Sequence, residues 1–218
     1  LHPANRRQRQ MCIRDRIRTE IHPTVSNCGS SEVSGILDAL NGKFVQPGPS
    51  GAPTRGRLDV LPTGRNFYSV DSRSIPTITA WNIGWKSANL LLEKHLQDHG
   101  DWLRTILLSA WGTSNMRTGG DDIAQCLALM GVKPKWDDIS KRVLGFEILP
   151  LSVLGRPRVD VTLRISGFFR DAFPQLISLV DSAATSIMNL NEPLDQNIAA
   201  ARFKSGEDSN RVYGAKPG

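Results

Sequence analysis

The stretch TILLSAWGTSNMRTGGDDIAQ, Thr105 to Gln125, decides the reading of this chain. A short apolar run reads as a buried strand, a polar segment rich in Gly, Thr and Asn follows, and the stretch ends in the start of a helix. In open α/β sheets, loops at the carboxyl ends of strands build the ligand crevice. The residue types of this loop favour contact over packing. Trp111 offers a flat face, Thr113 and Asn115 offer hydrogen bonds, and Arg117 offers a rigid positive fork. Gly119 and Gly120 let backbone come close to a bound molecule. The alternative is a Gly-rich connector whose Asp121 and Asp122 complement a helix dipole.

Outward from this stretch the pattern stays regular. Upstream, Trp81, Trp85, Ala88, Leu92 and Leu96 recur at helical spacing with Gly100 as the stop. The two tryptophans read as core packing, and Lys86 and Lys94 as a solvated face. Arg104 to Ala110 reads as a strand, and Asp121 to Met130 as a helix closed by Gly131. Lys133 to Trp136, Arg142 to Ile148 and Val159 to Ile165 read as strands, with a short helical turn at Ser152 to Leu154. Pro174 to Leu190 reads as an amphipathic helix, since proline is tolerated in a first turn. The order implies an α/β fold: a partial doubly wound, largely parallel sheet with flanking helices. A Pro/Gly-rich segment, GKFVQPGPSGAPTRGRLDVLPTGRN, precedes it and reads as a long loop without regular structure. Ser31 to Leu40 fits a short helix.

A chain of 218 residues suits one or two domains and can bury a real core. No apolar run approaches the roughly 20 residues of a membrane helix. The basic N-terminus lacks the apolar stretch of a signal peptide, so the default location is cytoplasmic. The sequence pI of about 9.5 suggests nucleic acid, but the charge is local. Six arginines fall in the first twenty residues against Asp15 and Glu20, which leaves little excess elsewhere. MCIRDR, Met11 to Arg16, resembles translated adapter sequence, so residues 1–18 read as a non-native, disordered basic tail. Neither a nucleic-acid nor a membrane partner is expected. Cys12, Cys28 and Cys126 are far apart and fit neither a disulfide framework nor a zinc site. Four segments result: the tail (1–18), a helix with a long loop (19–75), the α/β domain (76–190), and a polar C-terminal segment (191–218).

Three runs carry a resemblance. LPTGRNFYSVD (Leu61 to Asp71), WGTSNMRTGGDDIAQ (Trp111 to Gln125) and LGRPRVDVTLRISGFFRDAFP (Leu154 to Pro174) occur here in an order seen in one family. The chain resembles the large subunit of the ATP-dependent cobaltochelatases of aerobic cobalamin synthesis, related to the large subunit of magnesium chelatase. The resemblance covers roughly residues 36–218 and implies an internal fragment of a much longer subunit, one that stops inside the C-terminal segment. It implies ATP-dependent insertion of cobalt(II), as a substrate, into hydrogenobyrinic acid a,c-diamide. It further implies a corrinoid bound by the large subunit, with ATP hydrolysed by an AAA+ partner subunit alongside a third chelatase subunit. No GxxxxGK[ST] run is present, so another chain must hold the nucleotide. The fragment alone is expected to bind no cofactor and to be inactive. The alternatives are a magnesium chelatase acting on protoporphyrin IX, or a non-catalytic tetrapyrrole-binding module.

The site residues follow. Loops Trp111 to Gly120 and Ser166 to Ala172 open on one edge if their strands are parallel. Arg117 and Arg170 then face one anionic ligand, such as the carboxylate-bearing rim of a corrin-type ring. The ring loses two protons as metal enters, so Asp122 and Asp171 are the candidates to accept them. The competing reading makes Asp121, Asp122 and Asp171 residues of helix starts that complement the dipole. His95 and His99, four apart on a helix, share a face as metal ligands can. Cobalt(II) accepts imidazole, but His99 also suits a negative helix end.

Overall fold

A computed structural model describes residues 11–55, 58–68 and 70–216. The chain divides into two compact units, Leu1–Val70 and Asp71–Gly218.

In the first unit, residues 11–40 are almost continuously helical, including α1 (His22–Ser26) and α2 (Cys28–Leu40). Residues 11–18 are therefore ordered as helix, against the expected disordered tail, while residues 1–10 lie outside the described residues. Their side chains are exposed, so local hydrogen bonding accounts for the helix, aided by pairs such as Arg16–Glu20 at 3.0 Å. The Pro/Gly-rich segment is more regular than its composition suggests. It contains two strands paired in parallel, β1 (Pro47–Pro49) and β2 (Asn66–Tyr68), with Gly48 opposite Phe67. Proline is compatible with β1 because that strand has one neighbour only. Thr63 ties the returning loop to α2 by donating its hydroxyl to Glu32, 2.5 Å.

The second unit is a mixed α/β layer. The long helix α3 (Ile78–His99) begins at Thr77, whose hydroxyl accepts from the Ala80 amide at 3.1 Å, and ends at Gly100. It crosses α5 (Asp121–Met130) closely. A Cβ at Gly84 would lie 2.6 Å from the Gln125 amide nitrogen, so only glycine permits this approach. Trp81 and Trp85 pack together with ring centroids 5.6 Å apart, in the core role read from their spacing.

The central sheet is parallel throughout, in the order β3 (Thr105–Ala110), β6 (Asp160–Ile165), β7 (Val212–Gly214). β4 (Val132–Trp136) and β5 (Val143–Ile148) do not join it; they form a separate antiparallel hairpin. The short turn between them explains this, because a parallel neighbour needs a crossover of a dozen residues or more. Asp137 builds that turn, accepting from the Ser140 amide at 2.6 Å and the Ile139 amide at 3.1 Å. The segment after residue 190 belongs to this unit: α9 (Ile198–Lys204) packs on α8 (Pro174–Met188), and β7 extends the sheet.

Among the described residues, helices cover one face of the sheet. Val161, Leu163 and Ile165 of β6 are buried against α5 and its neighbours. The alternate residues, Thr162 and Arg164 of β6 and Leu107 and Ser109 of β3, point to the other face, where Leu107 is 62% exposed. The carboxyl ends of all three strands share one edge.

Two buried clusters hold the opposite, amino end of β6. The strand pattern RPRVD puts Arg156, Arg158 and Asp160 on one face by the two-residue period. Arg156 and Arg158 donate to the carbonyls of Ala128, Leu129, Met130 and Gly131 at the carboxyl end of α5. Burial and the nearby Arg158 charge pull the Arg156 guanidinium down to about 10. Asp160 receives Arg211 at 2.6 Å and Arg202 at 3.2 Å, which ties β6 to the segment leading into β7.

Candidate functional site

At the carboxyl edge each parallel strand hands over to a different structure. After β3, Trp111 leads into α4 (Gly112–Thr118), so the expected loop is a short helix. After β6, Ser166 accepts from the Phe169 amide at 3.1 Å and starts α7 (Gly167–Ala172), again a helix in place of a loop. The two helices touch where Gly112 meets the Phe168 ring. After β7 the chain runs on through Ala215. Between these exits lies a crevice of 540 Å³, within the roughly 300–1,000 Å³ typical of ligand pockets. Its walls include Leu107, Trp111, Thr162, Arg164, Ser166 and Tyr213.

The structure disperses the residues expected from sequence. Trp111, 61% exposed, lines the crevice. Thr113 and Arg117 lie on the exposed side of α4, one turn apart, and neither is a crevice wall. Asn115 is fully buried beneath them. Its amide nitrogen donates to the Trp111 carbonyl at 2.9 Å and reaches an Asp122 carboxylate oxygen at 3.5 Å, while its own oxygen has no hydrogen-bond partner. Asn115 thus links the exit of β3 to the start of α5.

Gly119 and Gly120 form the hinge between α4 and α5 in consecutive left-handed conformations, φ 74° and 90°. Their close neighbours are protein. A Cβ on Gly119 would meet Thr77 at 3.1 Å, and one on Gly120 would collide with Ile75. The Gly119 carbonyl accepts from the Thr77 amide at 3.0 Å, so the hinge is fastened to the start of α3. Asp121 and Asp122 occupy the first turn of α5, where carboxylates complement the helix dipole.

Arg170 and Arg117, expected to face one anionic ligand, differ in their surroundings: Arg170 is engaged within the protein. Arg170 grips Asp171 with two bonds, 2.8 and 3.1 Å, and donates to the Ala215 carbonyl at 2.8 Å. Asp171 lies near the end of α7, not at a helix start. The Arg170 hydrogen bonds and charge hold its carboxyl below the ordinary carboxylate value, which makes it a weak base. His95 and His99 stack at 4.2 Å on α3, with His99 Nδ1 3.0 Å from the His95 carbonyl. Neither lines the crevice, and no group of three or more His, Cys, Asp or Glu side chains among the described residues is arranged to hold a metal. Cys126 is buried, and burial pushes its thiol up to about 12. Among the described residues no helix is long and apolar enough to cross a membrane.

Arg164 and Tyr213 are among the walls that the sequence reading did not single out. Arg164 takes a polar position in the apolar–polar alternation of VDVTLRI and faces the open side of the sheet. Tyr213 gave no signal, because β7 is three residues long and its pairing with β6 is non-local.

Comparison with known proteins fits this architecture. The chain is 58% identical to a cobaltochelatase subunit, "Aerobic cobaltochelatase subunit CobN" of Sinorhizobium sp, over 93% of its length, and 57% identical to the protein of that name from Pseudomonas aeruginosa over 91%. It is 42% identical to a magnesium-chelatase subunit of Rhodobacter capsulatus over 78%. The chain spans 17%, 17% and 14% of those relatives. The structure superposes on the catalytic subunit of cobaltochelatase from Mycobacterium tuberculosis with a TM-score of 0.79 and 45% identity, covering 93% of this chain and 18% of that one. A family model described as CobN/Magnesium Chelatase matches residues 2–218, and the chain belongs to that family.

Proposed function

We propose that this chain is the part of a cobaltochelatase large subunit that forms one wall of the corrinoid site. The observation that carries the reading is the crevice at the carboxyl edge of the parallel sheet. It offers a flat aromatic face in Trp111, apolar contact at Leu107 and a single positive charge at Arg164. Such a surface suits a flat, apolar ring with an acidic rim. Identity to the named cobaltochelatase subunits exceeds that to the magnesium-chelatase subunit, which favours cobalt over magnesium.

In this proposal the complete large subunit binds hydrogenobyrinic acid a,c-diamide while cobalt(II), a substrate, enters the ring and two ring protons leave. Trp111 and the sheet face orient the macrocycle, and Arg117 meets a peripheral carboxylate. Asp122 is the stronger candidate to accept a proton, because Arg170 already holds Asp171 in its ionised form. ATP is hydrolysed by an AAA+ partner, with a third subunit completing a cytoplasmic complex. The test is cobalt insertion followed spectroscopically. The complete subunit with both partners and ATP should turn over, and the 218-residue segment should not, with or without ATP. Turnover by the segment alone would overturn the division of labour.

A further inference from the structure

The arginines of Asp71–Gly218 fall into two groups. Most are held internally by carboxylates or backbone carbonyls, as Arg170 is by Asp171 and Arg156 is by the end of α5. Arg117 and Arg164 alone have neither an ion pair nor a hydrogen bond among the described residues. Arg117 stands outside the crevice. Arg164 lines it and is the only charged side chain among its described walls.

The sheet register sets its surroundings. Ser109, Arg164 and Tyr213 sit directly opposite one another on β3, β6 and β7, and in a parallel sheet such a row points to one face. One step back, Leu107 and Thr162 form the next row on that face. Tyr213 does not turn its polar end into the crevice. Its hydroxyl donates to the Asp208 carboxylate at 3.1 Å, with the Asn210 carbonyl 3.2 Å away, and this fixes the ring beside Arg164. A permanently charged guanidinium thus stands between an immobilised tyrosine ring and a serine hydroxyl, with no carboxylate to balance it.

We infer that Arg164 is the anion anchor of the crevice. It takes a peripheral carboxylate of a flat, largely apolar ligand through a two-pronged hydrogen bond, with Ser109 as an added donor. Trp111 and Leu107 contact the ligand's apolar body. One guanidinium beside the apolar walls of Leu107 and Trp111 matches one carboxylate on the rim of a macrocycle. The inference rests on the corrinoid reading above and assigns the anchoring role to a residue that the motifs did not single out. Arg170, the arginine expected there, is already paired.

The test uses the complete subunit and two probes, hydrogenobyrinic acid a,c-diamide and its peripheral methyl ester, titrated by quenching of tryptophan fluorescence. Arg164→Gln should weaken binding of the acid by roughly tenfold or more, as loss of a charge-assisted pair implies. Arg164→Lys should fall between, since it keeps the charge and loses the fork. The ester should bind the wild type and Arg164→Gln equally weakly. Arg164 is exposed and unpaired, so melting curves of the variants should match the wild type. Unchanged affinity of Arg164→Gln for the acid, with the wild type binding it, would overturn the anchor and leave the corrinoid reading intact. Failure of the wild type to bind either probe would overturn both.

Discussion

Arg158 and Glu192 form a two-pronged ion pair, Nε to Oε2 at 2.7 Å and Nη2 to Oε1 at 2.8 Å, with the arginine side chain almost wholly buried. The remaining guanidinium donors reach the Met130, Gly131 and Leu149 carbonyls, at 3.1, 3.2 and 2.7 Å. One side chain thereby closes α5, holds the entry to the hairpin and receives the segment after α8. Arg158→Met should leave Glu192 half-buried without its counter-charge and take a donor from the Met130, Gly131 and Leu149 carbonyls, of which Gly131 keeps the Leu149 amide. Breaking such a pair costs about 3–5 kcal/mol, so urea denaturation should show a loss of that order. A change below about 1 kcal/mol would mean that the pair is incidental to the fold.

The same pair predicts a pH dependence. Burial pushes the Glu192 carboxyl up, but the hydrogen bonds and charge of Arg158, with the Asn197 amide, outweigh this and leave it below its ordinary 4.5. A carboxylate whose folded value is depressed stabilises the fold fully above its unfolded value. That contribution disappears as the pH falls through the folded value. Asp71, held down chiefly by its hydrogen bond from Arg73, acts in the same direction below its ordinary 3.8. Stability should therefore be flat above about pH 5 and fall below about pH 4.5. In Glu192→Gln the fall should be shallower, with a lower plateau. An acid limb identical to the wild type would assign the titration to other carboxylates.

Gly120 is the most constrained point of the hinge. Its φ of 90° and the collision that a Cβ there would make with Ile75 both exclude a side chain. Gly120→Ala should cost about 1–3 kcal/mol in thermal or urea melts. The loss should appear whether or not a ligand is present, because the constraint lies within the protein. A variant as stable as the wild type that binds ligand poorly would restore the sequence reading, in which the glycine makes room for substrate.

Arg117→Ala and Asp122→Asn separate ligand roles from scaffold roles when measured side by side in the complete subunit. Arg117 has no protein partner among the described residues, so its loss should not lower the melting point. Corrinoid binding should weaken by ~1–3 kcal/mol if a carboxylate meets it. Asp122→Asn should spare binding and slow cobalt insertion, with a stability cost of about 0.3–1 kcal/mol from the lost dipole interaction. Unchanged affinity in the first variant and unchanged rate in the second would leave both residues as scaffold.

The parts legible in the sequence were those with local signals. The helical spacing from Trp81 to Leu96 with Gly100 as the stop gave α3, Asp121 to Met130 was identified to the residue, and Val159 to Ile165 was read as the strand that forms β6. The parts that were not depend on distant partners. Trp111 to Gly120 has loop composition, yet α4 forms because Asn115 is buried against the Trp111 carbonyl and Gly119 ends the turn in a left-handed conformation. β7 has too little sequence to announce itself, and its place is set by pairing with β6 and by Arg211 on Asp160. Arg170 looked like a ligand residue because sequence does not reveal that Asp171 and Ala215 engage each of its three side-chain nitrogens. Arg164 was overlooked because a charge at an alternating polar position is informative only once the sheet is known to be bare on that side.

Corrinoid specificity is decided by the equilibrium affinity of the complete subunit for hydrogenobyrinic acid a,c-diamide and for protoporphyrin IX, measured under one set of conditions. The corrinoid should bind more tightly by roughly tenfold or more, a difference of about 1.4 kcal/mol. Equal affinities, or tighter binding of protoporphyrin IX, would contradict a corrinoid site at this crevice.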